Sequence, residues 1–323
     1  MFIEFKCGAT SDPFYDDDQN SFEKLFDTAC ATRGQIVLYS THLQTYQFRT
    51  WAFSVGIFGK VARLFRWDRA GAIVSEPICY CKKGNRDLAE FLCRFDLMNR
   101  TKRGWDPTVS DATAEEATAF DNAIGAVVGK GNTLLLKSLL DTVGNKDNYP
   151  RRRVQLPTSD DADERVVSYI VGRSIANAKS PTGRATRGFV AMSKDTGKLV
   201  FLKDSWRPDI EGMMGEAHWF GKLKGARNIS AFLQGSDVRC MAVKRRSDKT
   251  MGPPTNPFQH TLTNLYSDDY RGMQGMMGYI HYRTVQCELY VPLNTFTNSR
   301  HLTRIIHDII IGKISPYSSI PNH

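Results

Sequence analysis

The pattern of apolar and polar positions changes along this chain, and an interruption around residues 145–163 separates two kinds of pattern. Before the interruption, Phe2 to Lys6 alternates as a short strand, and Ser21 is placed as the N-cap of a helix with Phe22, Leu25, Phe26 and Ala29 on one face. A second helix is expected from Gln35 to Tyr46. Three strand-like runs follow, TWAFSVGIF, VARLFRWD and AIVSEPICY, with glycine corners at Gly59 and Gly71 that suit short hairpins. Helical spacing then returns at Arg86 to Met98, Thr113 to Val128 and Thr133 to Val143.

The interruption reads NKDNYPRRRVQLPTSDDADE, with prolines at Pro150 and Pro157 and blocks of opposite charge. Proline removes a backbone donor and like charges repel, so an exposed linker is expected over residues 149–163. Strand signals dominate afterwards: SYIVGRS, GFVAMS and KLVFLKD, the last two joined by the turn Asp195-Thr196-Gly197. A helix is expected over Glu211 to Lys224, strands at VRCMAV and IHYRTVQCEL, and a last helix from Ser299 to Ile311. The fold class is therefore α+β.

Composition alters this picture little. The 323 residues are 41% hydrophobic and 24% charged, ordinary for globular protein. No apolar run approaches the roughly 20 residues of a membrane span, and the first residues do not read as a secretory signal. A cytoplasmic or nuclear chain with no membrane partner is expected. The seven cysteines offer no zinc spacing; Cys79 and Cys81 are expected as half-buried thiols on a strand. A formal charge of +9 favours anionic partners such as nucleotide phosphates. The basic residues are dispersed, and the runs Arg151-Arg152-Arg153 and Lys244-Arg245-Arg246 read as solvated surface, which argues against nucleic acid.

One constellation carries chemistry. Gly183-Arg184-Ala185-Thr186-Arg187-Gly188-Phe189-Val190 approaches G-x-G-x-x-G-x-V, with Ala185 in place of the second glycine. Glycines between two strands let backbone N–H groups approach phosphates, although a hairpin with flexible corners gives the same pattern. Lys203 on the next strand follows in the order of a phosphate loop and the lysine that grips α and β phosphates. Glu211 and Glu216 could each pair with it, and Glu216 is preferred as lying inside the helix rather than at its start.

The phrases ARLFRWDRAGAIVSE, GRATRGFVA, DTGK, LVFLKDSWR, GARNISAFLQGSDV and IHYRTV resemble the fungal-type protein kinases, and the resemblance extends to about Gly312. It implies that Gly183, Arg184, Ala185, Thr186, Gly188 and Val190 form the phosphate loop, Lys203 is the nucleotide lysine with Glu216 as partner, and Glu288 lies at the hinge. A methyl group at Ala185 is expected to be tolerated. ATP and Mg are the cofactors the family implies. Neither H-R-D nor D-F-G occurs among these residues, so no catalytic base or metal aspartate is assigned, and weak or absent nucleotide binding is expected. On this reading residues 1–148 form an α+β accessory domain, 164–312 a kinase N-lobe with the first helix of a C-lobe, and 313–323 a tail outside the family. The expected protein is a kinase homologue, inactive alone as a pseudokinase would be. Its last helix is expected to expose Ile305, Ile306, Ile309 and Ile310 to a protein partner or to self-association.

A weaker signal is Glu4-Phe5-Lys6, an E-x-K on a strand, with Gln35 and Tyr39 on the following helices. Nucleases of the restriction-endonuclease type place a metal carboxylate beside a lysine in this way, and the accessory domain is compatible with that architecture. Two further function classes therefore stand beside the kinase: a non-catalytic scaffold and a degenerate nuclease-like domain.

Overall fold

The computed structural model describes residues 1–15, 22–129, 133–144, 148–157, 165–223, 228–240, 257–266, 275–289, 293 and 296–314. Two sheets organise them. The first has the order β1-β2-β3-β4, built from β1 (Phe2–Lys6), β2 (Ala52–Phe58), β3 (Val61–Trp67) and β4 (Ala72–Val74). β1 runs parallel to β2, and the other pairs are antiparallel. One continuous helix, α1 (Asp27–Tyr46), covers one face of this sheet; Ile36 packs with Phe58, Phe65 and Trp67. The sequence pattern divided this segment between two helices, and Ser21 lies outside the described residues. The pattern misleads because much of the buried side of α1 is polar: Thr32, Ser40, Thr41, Gln44 and Thr45. Thr32 donates to the Thr28 carbonyl at 2.8 Å, Thr41 to the Val37 carbonyl at 2.8 Å and Gln44 to Ser40 Oγ at 3.1 Å, all within the helix, while Gln44 Oε1 and Thr45 Oγ1 are buried without a partner.

The second sheet has seven strands in the order β10-β11-β9-β8-β7-β6-β5. They are β5 (Val109–Asp111), β6 (Arg152–Pro157), β7 (Val166–Val171), β8 (Arg187–Ser193), β9 (Leu199–Pro208), β10 (Phe232–Asp237) and β11 (Tyr279–Gln286). All pairs are antiparallel. β6 falls inside the stretch expected as a linker. Arg151 is buried there, and Val154 and Leu156 enter the core with Tyr169, Phe189 and Leu202. From Arg153 the chain alternates polar and apolar positions through Val154, Gln155 and Leu156, as a strand with one buried face does, and the charge run before it masks that pattern. The other α-helices are α2 (Asp87–Leu97), α3 (Ala114–Val128), α4 (Thr133–Val143), α5 (Glu216–Lys222) and α6 (Ser299–Ile314).

Other departures are local. β10 was not expected as a strand, whereas in VRCMAV the described Val238 and Cys240 lie outside any strand and residues 241–250 lie outside the described residues. β4 stops at Val74, before Pro77, so Cys79 and Cys81 are exposed rather than half-buried on a strand. Along α6, Ile306, Ile309 and Ile310 are exposed and Ile305 is partly covered.

The two sheets meet through polar contacts and a ring stack. Asp68, just past β3, accepts from the backbone N–H groups of Leu262 and Thr263, both at 2.9 Å. Arg187 at the start of β8 donates to the Thr45 carbonyl at 2.8 Å, and Phe48 stacks on Phe189 at 5.5 Å.

Candidate functional site

Side chains alternate across a strand, so register decides what surrounds Lys203. On β9, Lys203 shares a face with Phe201 and Leu199. Gly188 lies opposite it on β8 and Thr284 on β11. Val190 and Met192 continue the same face along β8, and Ile170 extends it onto β7. Gly188 leaves room that any side chain would take, because a Cβ there would sit 3.0 Å from the Phe201 ring.

Lys203 forms an ion pair with Glu216, and Arg184 Nη2 donates to the same carboxylate oxygen at 3.1 Å. Glu216 is the first residue of α5 rather than an interior one, and Glu211 precedes the helix altogether. The helix begins late because Gly215, its N-cap, packs against Tyr282: a Cβ at Gly215 would meet that ring at 2.7 Å. Tyr282 Oη accepts from the Ala217 N–H at 2.8 Å and pins the first turn. A carboxylate in a first turn also sits at the positive end of the helix dipole.

The loop between β7 and β8 brings Gly183 and Ala185 beside this pair. Both have positive φ, +79° and +41°. Ala185 adopts a conformation that favours glycine, so its methyl group is accommodated with strain rather than freely. The Arg184 carbonyl accepts from Trp206 N–H at 2.8 Å on β9. Gly183 N–H donates to the Arg69 carbonyl at 2.8 Å, and Arg69 Nη1 donates to the Pro181 carbonyl at 2.9 Å. Burial, then the nearby Arg187, lowers the Arg69 pKa to about 9. The first sheet thus holds the loop through both the backbone and the side chain of Arg69. Thr186 is half-buried in the same loop.

Glu288 lies elsewhere. It follows the end of β11, near Lys198 and Leu199, and its carboxylate accepts from Ser230 Oγ at 2.8 Å and from Ala231 N–H at 2.9 Å. The structure therefore gathers Lys203, Glu216, Arg184 and the loop at one end of a face, with Glu288 at the other.

The reverse face carries a charged cluster that pattern reading missed. Asp204 receives Arg187 at 3.0 Å, Arg283 at 2.8 Å and His281 Nε2 at 3.1 Å. Arg283, fully buried, also pairs with Asp106 and donates to Thr108 Oγ1 at 2.7 Å. Burial alone would raise the Asp204 pKa, but Arg187, His281 and Arg283 hold it well below the usual carboxylate range. Burial lowers the His281 pKa against the pull of Asp204.

At the weaker motif, Lys6 Nζ contacts Glu4 at 3.0 Å and Gln35 Oε1 at 2.6 Å, and Gln35 donates to Tyr39 Oη at 2.8 Å. Glu4, Lys6, Gln35 and Tyr39 are therefore together. No group of three or more His, Cys, Asp or Glu residues placed to hold a metal ion occurs among the described residues. Nor is any helix among them long and apolar enough to cross a membrane.

An antiparallel sheet with a glycine loop, a lysine on the next strand and a glutamate on the helix that follows is compatible with a protein-kinase-like fold. The chain belongs to the fungal protein kinase family, whose model matches residues 27–317. No curated protein and no solved structure matches it.

Proposed function

We propose that residues 164–312 act as a kinase N-lobe that holds a nucleotide by its phosphates. Lys203 is the anchor, Glu216 its partner, and the Gly183–Val190 loop the cover. The observation that carries this reading is the Lys203–Glu216 ion pair beside that loop. Such a pair fixes an ammonium where phosphate charge can be balanced without reorganisation. Arg184, exposed and on the same carboxylate, adds a second cation at the phosphate end.

ATP is the nucleotide that the family implies. When Mg accompanies it, the ion would neutralise phosphate charge, but the described residues hold no ligand cluster for it. The sequences H-R-D and D-F-G are not among the 323 residues. The proposal is therefore nucleotide holding, with no phosphoryl-transfer step assigned to residues of this chain.

The test is a thermal-shift titration with Mg-ATP on the wild type and on Lys203→Met. A ligand that binds only the folded state raises Tm by mass action. The expected result is a concentration-dependent rise in the wild type that disappears in the variant. An equal rise in both would place the nucleotide elsewhere and remove the reading. No rise in a cooperatively melting wild type and in the release variants below would leave the scaffold role.

A further inference from the structure

The face to which Lys203 points is covered over Val190 and Met192. A nucleotide anchored there by its phosphates must lay its base along that face. From Lys203 the strip runs over Phe201 to Leu199, four residues or about 13 Å along β9, with Val190 and Met192 beside it. It is apolar, as a base requires, and α3 and α4 already cover it. Phe120 and Ile124 of α3 and Leu139 of α4 pack with Ile170, Val190 and Met192 in one cluster, and Val190 is only 1% exposed.

The covering helices pack through this apolar cluster and are tied to the sheet at its margins by charge. Arg151, at the edge of β6, places Nε 3.0 Å from Asp121 on α3. Its Nη2 donates to the Val143 carbonyl at 2.7 Å and its Nη1 to the Thr142 carbonyl at 3.4 Å, both at the end of α4. One buried guanidinium thus ties the two helices to the sheet. At the start of α3, Glu116 pairs with Arg153 at 2.7 Å and Lys194 at 3.0 Å.

We propose that α3 and α4 form an internal plug over the base end of the nucleotide site, clasped by Arg151, and that nucleotide binds when the plug is displaced. The inference rests on Lys203 being the phosphate anchor. Displacement is feasible because the opposite face keeps its own core, in which Val154, Tyr169, Phe189 and Leu202 pack without α3 or α4.

Calorimetric titration of the full chain with Mg-ATP tests it in the wild type, Arg151→Gln and Asp121→Asn, each with and without Lys203→Met. Apparent affinity scales with the fraction of molecules that are competent to bind, so a release variant that makes the open state dominant should bind about tenfold tighter or more. That gain should vanish with Lys203→Met. A merely structural clasp predicts the opposite, weaker binding on release. Hydrogen exchange on the wild type gives a second readout should a variant fail to fold: Mg-ATP should speed exchange over residues 114–128 and 133–143 while slowing it along β9. Equal affinities in wild type and release variants, with α3 and α4 slowed or unchanged, would overturn the plug and leave the phosphate reading intact. No binding in any form would take down both.

Discussion

The two faces of the seven-stranded sheet are built on opposite plans. One buries full charges: Asp204 and Asp106 hold Arg283, with Arg187 and His281 alongside, all 7% exposed or less. The other is apolar at the cluster that α3 and α4 cover, with charged pairs such as Arg153–Glu116 and Lys203–Glu216 at its margins; the Lys203 side chain remains 23% exposed. Arg283, Arg187 and His281 each meet a carboxylate within the core, and none of the three is available to a ligand. On the second face the lysine and glutamate meet at a partly open edge. Buried ion clusters are weak evidence for stability but fix geometry, because removing one member strands the others. The comparison teaches where this fold is committed and where it can still respond.

The comparison is broken most severely at Asp204. Asp204→Ala leaves Arg283 and Arg187 without one of their buried counter-charges, and the expected loss is about 3–5 kcal/mol. Chemical denaturation checks it. A loss below about 1 kcal/mol would mean that water reaches the cluster, and the contrast between the faces would fail. On the other face, Leu139→Ala opens a cavity beneath α4, where leucine truncations cost about 2–5 kcal/mol when the surroundings do not collapse. Because α4 is a cover rather than a central strand, a value at the lower end is expected. A small loss accompanied by tighter Mg-ATP binding would sharpen the contrast further.

Legibility in the sequence followed the same division. The loop, the turn and Lys203 lie close together in the chain, and strand alternation predicts their common face. The Asp204 cluster was hidden because its members are distant: Arg283 lies 79 positions from Asp204 and 177 from Asp106. No local period links such residues. Arg151 was misread for a related reason. A run of three arginines looks solvated, yet Asp121, 30 positions earlier, and the last carbonyls of α4 draw its first member inside. Glu216 meets Lys203 from the first position of α5 rather than from inside the helix, since the packing of Gly215 on Tyr282 moves the helix start past Glu211.

A gentler probe is acid. Burial alone would raise the Glu116 pKa, but Arg153, the Thr113 backbone and Lys194 hold it at about 2 instead of the ordinary 4.5. A depressed carboxylate contributes stability in full above its unfolded pKa, and the contribution fades as pH falls from 4.5 toward 2. Glu116→Gln keeps an acceptor for the capping box with Thr113 and removes only the charge. The expected outcome is a loss of about 1 kcal/mol or less at pH 7 and a shallower decline between pH 4.5 and 2. Parallel urea melts at several pH values would show it; an unchanged acid decline would mean that Glu116 is not what ties α3 to β6 and β8.

The smallest expected effect on stability is at Lys203 itself. An ion pair at a partly open edge gains little net energy, because water already solvates both charges and the long side chain loses freedom when held. Lys203→Met keeps the apolar stem and removes the ammonium, so Tm without ligand should move by the equivalent of no more than about 1 kcal/mol in either direction. Glu216 retains Arg184 as a counter-charge, which limits the penalty of leaving it behind. A much larger destabilisation would put Lys203 in the same structural class as Arg283, held for folding rather than for a ligand. A near-neutral Tm combined with loss of the Mg-ATP response would separate the two faces by experiment, one deciding whether the protein folds and the other whether it binds.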